Sequence, residues 1–260
     1  MDRKSFLFGM GGLVAGVPLG TIVGRSVGQD DPSPLPPTAQ GHTSYAQAGE
    51  DLVVNFFCGT LGIKDVSYLD IGAYDPIYLS NTYFFYKQGF RGVLVEPNVD
   101  MCTKLRAVRP ADTTLEAGIG IGKPSVADYY VMTEPSWSTF DKAEAEHQVK
   151  ATGGKVSIKE VRRMPLLDVN DVMTQHFKGK APAFVSIDAE GWHFAILKSI
   201  DFARFRPPVI CIETLVSGEH RTLPEIPAFL RTKDYVDRGG SFVNTIFVDA
   251  KLLRLDAKRS

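Results

Sequence analysis

The sequence contains little cysteine and almost no net charge. Its three cysteines, Cys58, Cys102 and Cys211, are far apart and odd in number, so they predict neither a disulfide framework nor a zinc site. The formal net charge is −1 over 260 residues, with no basic excess and no acidic tail. Because nucleic-acid binding usually needs a basic surface, this composition argues against a nucleic-acid partner.

A glycine-rich phosphate-binding motif is also missing. No Gly-x-Gly-x-x-Gly occurs, and this absence argues against a dinucleotide cofactor. Instead, an apolar run carries Asp70 and turns sharply at Gly72, where the lack of a Cβ lets a ligand approach closely. A loop with one glycine and two acids, Asp70 and Asp75, suits a ligand that carries an amine and hydroxyl groups. These residues favour S-adenosylmethionine over a dinucleotide.

Four apolar runs that predict parallel strands each end in an acid. The acids are Asp70, Glu96, Asp188 and Glu213. In an open α/β sheet, ligands bind beyond the carboxyl ends of the strands, so these side chains are expected to line one site. Glu96 lies 26 positions after Asp70 (96 − 70), close to the spacing at which an acid holds ribose hydroxyls. The acids could hold magnesium, but no ligand spacing demands it and no metal site is predicted.

The order of the elements predicts the fold class. Strands alternate with helices up to about residue 214, and an antiparallel pair around Gly239-Gly240 closes the chain. This order predicts an α/β fold with a doubly wound, mostly parallel sheet and a closing antiparallel hairpin. The expected divisions are an N-terminal hydrophobic segment (1–28), a proline-rich linker (29–43), the main domain (44–250) and a C-terminal tail (251–260).

The uncharged stretch 5–24 is long enough to span a bilayer as a helix. Four glycines recur every fourth residue, on one helical face that favours self-association: Gly12, Gly16, Gly20 and Gly24. A membrane anchor is the favoured interpretation. An export signal and a tail without structure stay open as alternatives.

The charges that flank this stretch conflict with the expected cofactor. Arg3 and Lys4 precede it, and the positive-inside rule would place them in the cytoplasm and the domain outside. A cytosolic cofactor requires the domain to lie in the cytoplasm instead. The expected localisation is therefore cytoplasmic, with an N-terminal membrane anchor, and export stays open.

A long insertion separates the third and fourth parallel strands. Residues 125–132 and 156–164 predict antiparallel strands, and the stretch 133–154 between them is polar and irregular. Such a segment inside a compact domain is usually a lid or a binding loop, so Trp137 is a candidate contact for the second substrate, the acceptor. The third strand is predicted over 113–120, where residues at its end would lie near an adenine.

Several short motifs occur in a fixed order along the chain. They are Ser44-Tyr45-Ala46-Gln47-Ala48-Gly49-Glu50-Asp51, Leu69-Asp70-Ile71-Gly72-Ala73 with Pro76, Ser80-Asn81-Thr82, Gly92 with Val95-Glu96-Pro97-Asn98, Arg109-Pro110, Ser186-Ile187-Asp188-Ala189-Glu190-Gly191, and Arg206-Pro207-Pro208 with Glu213-Thr214. In this combination the chain, from about residue 44 to 248, resembles the FkbM family of S-adenosylmethionine-dependent methyltransferases.

The resemblance implies a class I methyltransferase fold with a seven-stranded, Rossmann-like sheet. It also implies methyl transfer to oxygen, often on sugars or polyketide-type natural products. One position departs from the family. A second glutamate usually stands two residues after the glycine of Asp-x-Glu-Gly, and here His193 takes that place.

Together, the strand-end acids and the resemblance give a hypothesis for the site. The cofactor is S-adenosyl-L-methionine, and the residues expected to bind it are Asp70, Gly72, Ala73, Glu96, Pro97, Glu116, Ala117 and Asp188. The residues expected to act as base or orienting group are Asp188, Glu190 and His193. The residues expected to contact a small-molecule or glycan acceptor are Glu50, Asn81, Trp137 and Glu213.

Structural roles compete with two of these assignments. Glu50 could simply complement the dipole of the helix that follows it, and His193 could lie on a helix surface. Two other functions also stay open. One is a membrane-tethered member of the same fold that binds the cofactor or a glycan without turnover. The weaker one is a nucleotide-sugar or NAD enzyme.

Overall fold

The computed structural model describes residues 42–215 and 222–256. The predicted hydrophobic segment 1–28, its glycine face and nearly all of the linker lie outside these residues. Within the described ranges, none of the helices combines the length and the apolar character that crossing a membrane requires.

The described residues form ten strands, eight α-helices and one short 3₁₀ helix (Pro135–Trp137). The strands are β1 (Tyr68–Ile71), β2 (Gly92–Val95), β3 (Thr113–Leu115), β4 (Gly118–Ile119), β5 (Ser125–Met132), β6 (Ile158–Leu167), β7 (Phe184–Ile187), β8 (Val209–Glu213), β9 (Tyr235–Gly240) and β10 (Asn244–Asp249). The helices are α1 (Glu50–Thr60), α2 (Tyr83–Lys87), α3 (Val99–Val108), α4 (Lys142–Ala151), α5 (Val169–His176), α6 (His193–Ser199), α7 (Glu225–Thr232) and α8 (Ala250–Asp256). The segment expected to be a C-terminal tail therefore begins as helix α8.

Seven strands form the main sheet in the order β3-β2-β1-β7-β8-β10-β9. β1 lies between β2 and β7 and is parallel to both, with Asp70 beside Leu94 and Ser186. β10 runs antiparallel to β8 and to β9. The predicted doubly wound sheet with a closing antiparallel hairpin is confirmed. The strand order reverses between β1 and β7, which is where such sheets open a crevice for a ligand.

Both faces of this sheet are covered, so its central strands are buried at every position. On one face, Leu69 and Ile71 pack with apolar residues of α5, α6 and α7. On the other face, Tyr68 packs with apolar residues of α1, α2 and α3. Neighbouring residues of β1 therefore anchor opposite layers, and the carboxyl end of β1 is held from both sides.

A second, smaller sheet is inserted between β3 and β7. Its strand order is β4-β6-β5, with β5 antiparallel to β6. The predicted third strand over 113–120 is divided into β3 and β4. The N–H of Ala117 donates to the carbonyl oxygen of Glu96 (3.2 Å), and β4 then pairs with β6 in the second sheet. Gly118 fits at this exit, since an added Cβ would overlap the ring of Phe140.

The stretch 133–154 contains a helix, so the prediction of an irregular segment was wrong there. The side chain of Asp141 caps α4 by accepting hydrogen bonds from two N–H groups of its first turn. In α4, Ala145 and Gln148 are buried, so the sequence lacks the apolar stripe by which helices are usually recognised.

A buried ion pair joins the centre of the sheet to the end of α3. Nη2 of Arg109 lies 2.8 Å from Oδ2 of Asp112, and neither side chain is exposed. Asp112 also accepts hydrogen bonds from the hydroxyl of Tyr68 (2.8 Å) and from the N–H of Gly92 (2.9 Å). The pair is thus bonded to β1 and β2 at the same time.

The guanidinium of Arg109 also reaches toward the crevice. It donates hydrogen bonds to the hydroxyls of Ser80 (3.2 Å) and Thr82 (3.0 Å). Thr82 in turn donates to the carboxylate of Asp70 (2.6 Å). Tyr68 and Tyr86 place their rings 5.6 and 5.3 Å from the guanidinium carbon. A planar group with several donors is needed here, which lysine does not supply.

Arg109→Met is expected to lower the free energy of unfolding by about 3–5 kcal/mol, because it leaves the charge of Asp112 buried without its partner. Urea denaturation followed by circular dichroism measures the loss. The matched control is Arg163→Met, whose partner Asp128 lies 3.2 Å away in an exposed pair. This control should lose less than about 1 kcal/mol. Equal losses in the two variants would contradict the structural role of the buried pair.

Candidate functional site

The carboxyl ends of β1, β2 and β7 open into a cleft of about 1080 Å³, part of which is open to solvent. The residues that directly follow these strands form most of its wall. The second sheet and the turn before α4 close the remaining side. The cleft therefore lies where doubly wound sheets bind ligands.

Asp70 is a buried carboxylate in the wall of the cleft, with 4% of its surface exposed. Oδ2 accepts the hydrogen bond from Thr82, and Ser186 also hydrogen-bonds to this carboxylate. Burial raises the pKa of Asp70, whereas the bond from Thr82 and the charge of Arg109 lower it. The carboxylate is thus supported by hydrogen bonds but remains costly to ionise, so a cationic ligand would stabilise it.

Gly72 shapes the turn after β1. Its N–H donates to the carbonyl oxygen of Val95 (2.9 Å), and its φ of 83° lies in the left-handed region. An added Cβ would overlap the carbonyl oxygen of Asp188. Glycine is therefore required both by the backbone conformation and by the close approach of the loop after β7.

Glu96 directly follows β2 and is also buried in the wall. Oε2 accepts a hydrogen bond from the N–H of Tyr74 (2.9 Å), and Oε1 accepts one from the N–H of Asn98 (2.6 Å). Burial raises the pKa of Glu96 to about 7, even though both bonds lower it. The side chain thus joins two loops of the cleft and changes its charge near neutral pH.

Two further carboxylates, Asp188 and Glu190, line the cleft after β7. Glu213, at the end of β8, lies next to them but not in the wall. One carboxylate oxygen from each of the three lies within 4.8 Å of the others. Such a group can share a proton or hold a divalent cation, because oxygen ligands suit magnesium and calcium.

His193 lies outside the wall of the cleft, contrary to the expectation that it faces the acceptor. It opens α6 and is 6% exposed, with Nδ1 3.8 Å from Oε2 of Glu213. The helix therefore directs this side chain toward the end of β8.

Glu50 is not a cleft residue either. Its Oε1 accepts hydrogen bonds from Ser241 (2.6 Å) and from Nδ2 of Asn244 (3.0 Å), and its Oε2 accepts one from the N–H of Ala48 (2.7 Å). Both oxygens are used within the fold, where they connect α1 to the closing hairpin. The expectation that Glu50 contacts the acceptor does not agree with this placement.

Trp137 and Glu116 also differ from expectation. Trp137 packs in a small apolar cluster with Met132, while the neighbouring residues Ser136 and Ser138 line the cleft. Glu116 forms a partly exposed ion pair with Arg106 (3.0 Å). The chain turns out of the main sheet at this point, so the next residue, not Glu116, reaches the cleft.

The cleft does bring nine of the predicted site residues together: Asp70, Gly72, Ala73, Asn81, Glu96, Pro97, Ala117, Asp188 and Glu190. Their individual roles stay predictions. An aromatic wall was missed, formed by Tyr129, Phe140 and Trp192. The ring centroids of Phe140 lie 4.8 Å from Tyr129 and 5.6 Å from Trp192. These rings come from three separate segments, and the only sequence signal for this wall was that Tyr129 and Phe140 lie in the insertion.

The charge of the cleft is strongly one-sided. Four carboxylates line it, while lysine, arginine and histidine are absent from the described residues of its wall. S-adenosylmethionine carries a sulfonium cation, an ammonium cation and ribose hydroxyls that donate hydrogen bonds. An acid-lined cleft at the strand ends fits these groups, and a phosphate-bearing dinucleotide would be repelled.

The seven-stranded, mostly parallel sheet with its closing antiparallel hairpin is the class I methyltransferase fold. A family model described as the methyltransferase FkbM domain matches residues 70–236. The chain therefore belongs to the FkbM methyltransferase family, as the resemblance predicted, and its cofactor is S-adenosylmethionine. A comparison with curated proteins finds no match.

Solved structures with a similar fold are distant in sequence. Precorrin-6y C5,15-methyltransferase from Geobacter metallireducens is 13% identical, with a TM-score of 0.40 over 80% of this chain and 92% of that one. A 1,6-didemethyltoxoflavin-N1-methyltransferase from Burkholderia thailandensis, solved with S-adenosylhomocysteine, is 12% identical, with a TM-score of 0.37 over 77% and 76%. An O-methyltransferase from Bacillus cereus, also solved with S-adenosylhomocysteine, is 12% identical, with a TM-score of 0.33 over 81% and 83%.

Gly72→Ala is expected to destabilise the protein more than Gly89→Ala does. Both glycines have a positive φ, which costs alanine about 1–2 kcal/mol, but only at Gly72 does the added Cβ meet backbone. Gly89 has open space around it and serves as the control. Gly72→Ala should also weaken the binding of S-adenosylhomocysteine, because it displaces the backbone of the turn after β1, which is expected to contact this ligand. Thermal unfolding and calorimetry measure the two effects, and similar results for both variants would contradict this account of the turn.

Proposed function

We propose that this methyltransferase transfers the methyl group to a hydroxyl of a sugar, a glycan or another natural product. The observation that carries the proposal is the presence of two carboxylate pairs in one cleft. Asp70 and Glu96 follow the first two strands, where the cofactor is expected, and Asp188 and Glu190 follow β7. The first pair suits the cofactor, which leaves the second pair for the acceptor.

The proposed cofactor contacts follow the order of the strands. Asp70, with the backbone of Gly72 and Ala73, would hold the methionine end. Glu96 would accept hydrogen bonds from the ribose hydroxyls, with Pro97 beside it. Ala117, at the turn into the second sheet, would lie near the adenine.

The cofactor supplies an electrophilic methyl carbon, so the protein has mainly to align the acceptor oxygen. Alignment of two reactants alone can contribute about 7–11 kcal/mol. Asp188 or Glu190 would accept the proton of the acceptor hydroxyl, or orient that hydroxyl by a hydrogen bond. A positioned general base typically adds about 10²–10⁴-fold to the rate.

The aromatic wall supports an acceptor with both apolar and hydroxyl-bearing faces. Sugars and many natural products have such faces, and ligand sites commonly combine aromatic surface with a few polar groups. Phe140 and Trp192 supply the rings, and the carboxylates of Asp188 and Glu190 supply the polar groups. Because His193 lies outside the wall, its departure from the family pattern leaves the lining of the cleft unchanged. This placement favours turnover over the alternative of a non-catalytic binding protein.

The function is tested by incubating the full chain with cell extract and a cofactor that carries a trideuterated methyl group. The labelled product is then sought by mass spectrometry, and its bonding is assigned by NMR. A labelled methyl ether is expected. Binding of S-adenosylhomocysteine without any labelled product would support the non-catalytic alternative, and label on nitrogen or carbon would overturn the O-methyl assignment.

Asp188→Asn and Glu190→Gln separate the roles of the two carboxylates. Replacing the residue that acts as base should lower kcat by about 10²–10⁴-fold, with little change in the Kd of S-adenosylhomocysteine. Glu146→Gln is the control, because its side chain is 60% exposed on α4 and lies outside the wall. Full turnover in both cleft variants would contradict the proposed acceptor side.

Binding of S-adenosylhomocysteine is expected to tighten as the pH rises through about 7. The pKa of Glu96 is raised to about 7, so below this pH the free protein carries a proton there. An ionised carboxylate accepts hydrogen bonds from ribose more strongly, which makes binding release that proton. Calorimetry in two buffers of different ionisation enthalpy measures the release. Glu96→Gln should weaken binding and remove the pH dependence, and an unchanged pH profile in this variant would rule out the ribose assignment.

A further inference from the structure

Asn81 carries a buried acceptor that the fold does not use. The side chain lines the cleft, and 8% of the residue is exposed. Its Oδ1 is buried and has no hydrogen-bond partner among the described residues. A buried amide oxygen without a donor is costly, so such an atom beside a ligand cleft indicates a donor on the ligand.

The hydroxyl of Ser186 determines the orientation of the side-chain amide of Asn81. Nδ2 of Asn81 donates to Oγ of Ser186 (3.1 Å), and Ser186 hydrogen-bonds to the carboxylate of Asp70. A hydroxyl has one proton, and an ionised carboxylate can only accept. Ser186 therefore donates to Asp70 and accepts from Asn81, which leaves Oδ1 as the unsatisfied atom.

The proton of the Thr82 hydroxyl, which is the second hydroxyl bonded to Asp70, is assigned in the same way. Arg109 donates to Oγ1 of Thr82, so Thr82 has its own proton available for Asp70. Asp70 thus accepts hydrogen bonds from two hydroxyls at the end of β1. The amide oxygen of Asn81 and the carboxylate of Asp70 are connected through the single hydroxyl of Ser186.

We propose that Oδ1 of Asn81 and the carboxylate of Asp70 together bind the α-ammonium group of S-adenosylmethionine. An ammonium group offers three N–H donors and a positive charge, and this corner of the cleft offers acceptors and a negative charge. The carboxylate of the methionine part would be repelled by Asp70, so it does not fit here. The assignment moves Asn81 from the acceptor side, where the sequence placed it, to the cofactor side. It rests on the proposed cofactor contacts of Asp70.

The test compares two ligands on the full chain by calorimetry: S-adenosylhomocysteine and its analogue in which hydrogen replaces the amino group. Asn81→Ala should weaken the binding of S-adenosylhomocysteine by about 10- to 100-fold, the range expected for a lost hydrogen bond to a charged group. The same variant should bind the deaminated analogue as the wild type does, because this ligand has no ammonium to lose.

Asn244→Ala is a matched control. Asn244 is 2% exposed, donates to Glu50 through Nδ2 and also has a buried Oδ1 without a partner, but it lies outside the wall of the cleft. This variant should leave the Kd of both ligands unchanged. Asn81→Asp keeps an acceptor oxygen, and it should bind S-adenosylhomocysteine more tightly than Asn81→Ala does.

Equal weakening of both ligands by Asn81→Ala would show that the residue only supports the shape of the cleft, and unchanged binding would show that it contacts neither ligand. Either result overturns the assignment of Asn81 alone, since the wild type still binds S-adenosylhomocysteine. Failure of the folded wild type to bind either ligand would instead overturn the proposed cofactor contacts, and the assignment of Asn81 with them.

Discussion

The buried ion pair between Arg109 and Asp112 is the interaction on which the site depends. Burying two charges is expensive, and a pair offsets that cost only when its remaining donors and acceptors are used. Here Asp112 also bonds to β1 and β2, and Arg109 also bonds to Ser80 and Thr82. Because Thr82 then holds Asp70, the packing of the sheet and the position of a cleft carboxylate are determined by one network.

The strand ends and their acids could be predicted from the sequence because that information is local. Apolar runs of four or five residues indicate buried strands, and the fold class then places their ends at one edge. The insertion was harder to predict. Helix α4 is stabilised by a cap and by polar pairs on its surface, so it has no apolar stripe. The exit of the chain at Ala117 depends on contacts with Phe140 and the second sheet, which no local pattern indicates.

Glu50 shows why a role could not be assigned from an acid alone. In the sequence Glu50 lies in a family motif, as the acids of the cleft do, although it stands at the start of a helix and they follow strands. Its partners Ser241 and Asn244 are 191 and 194 residues away in the chain, and both donate hydrogen bonds to its Oε1. An acid whose oxygens are satisfied by the fold supports the structure, and only the folded chain shows this.

Asp70 and Glu96 are the opposite case, because the fold supports them without neutralising them. Each receives two hydrogen bonds from the protein, yet burial still raises the pKa of both carboxylates. No basic side chain lines the described wall to offset their charge. The ionised cleft is therefore less stable when it is empty than when it holds a cation. Binding of a cation recovers part of the free energy that burying these acids costs the folded protein. A cofactor with two cationic groups uses this arrangement, which links the cost of the site in the folded protein to its selectivity for the ligand.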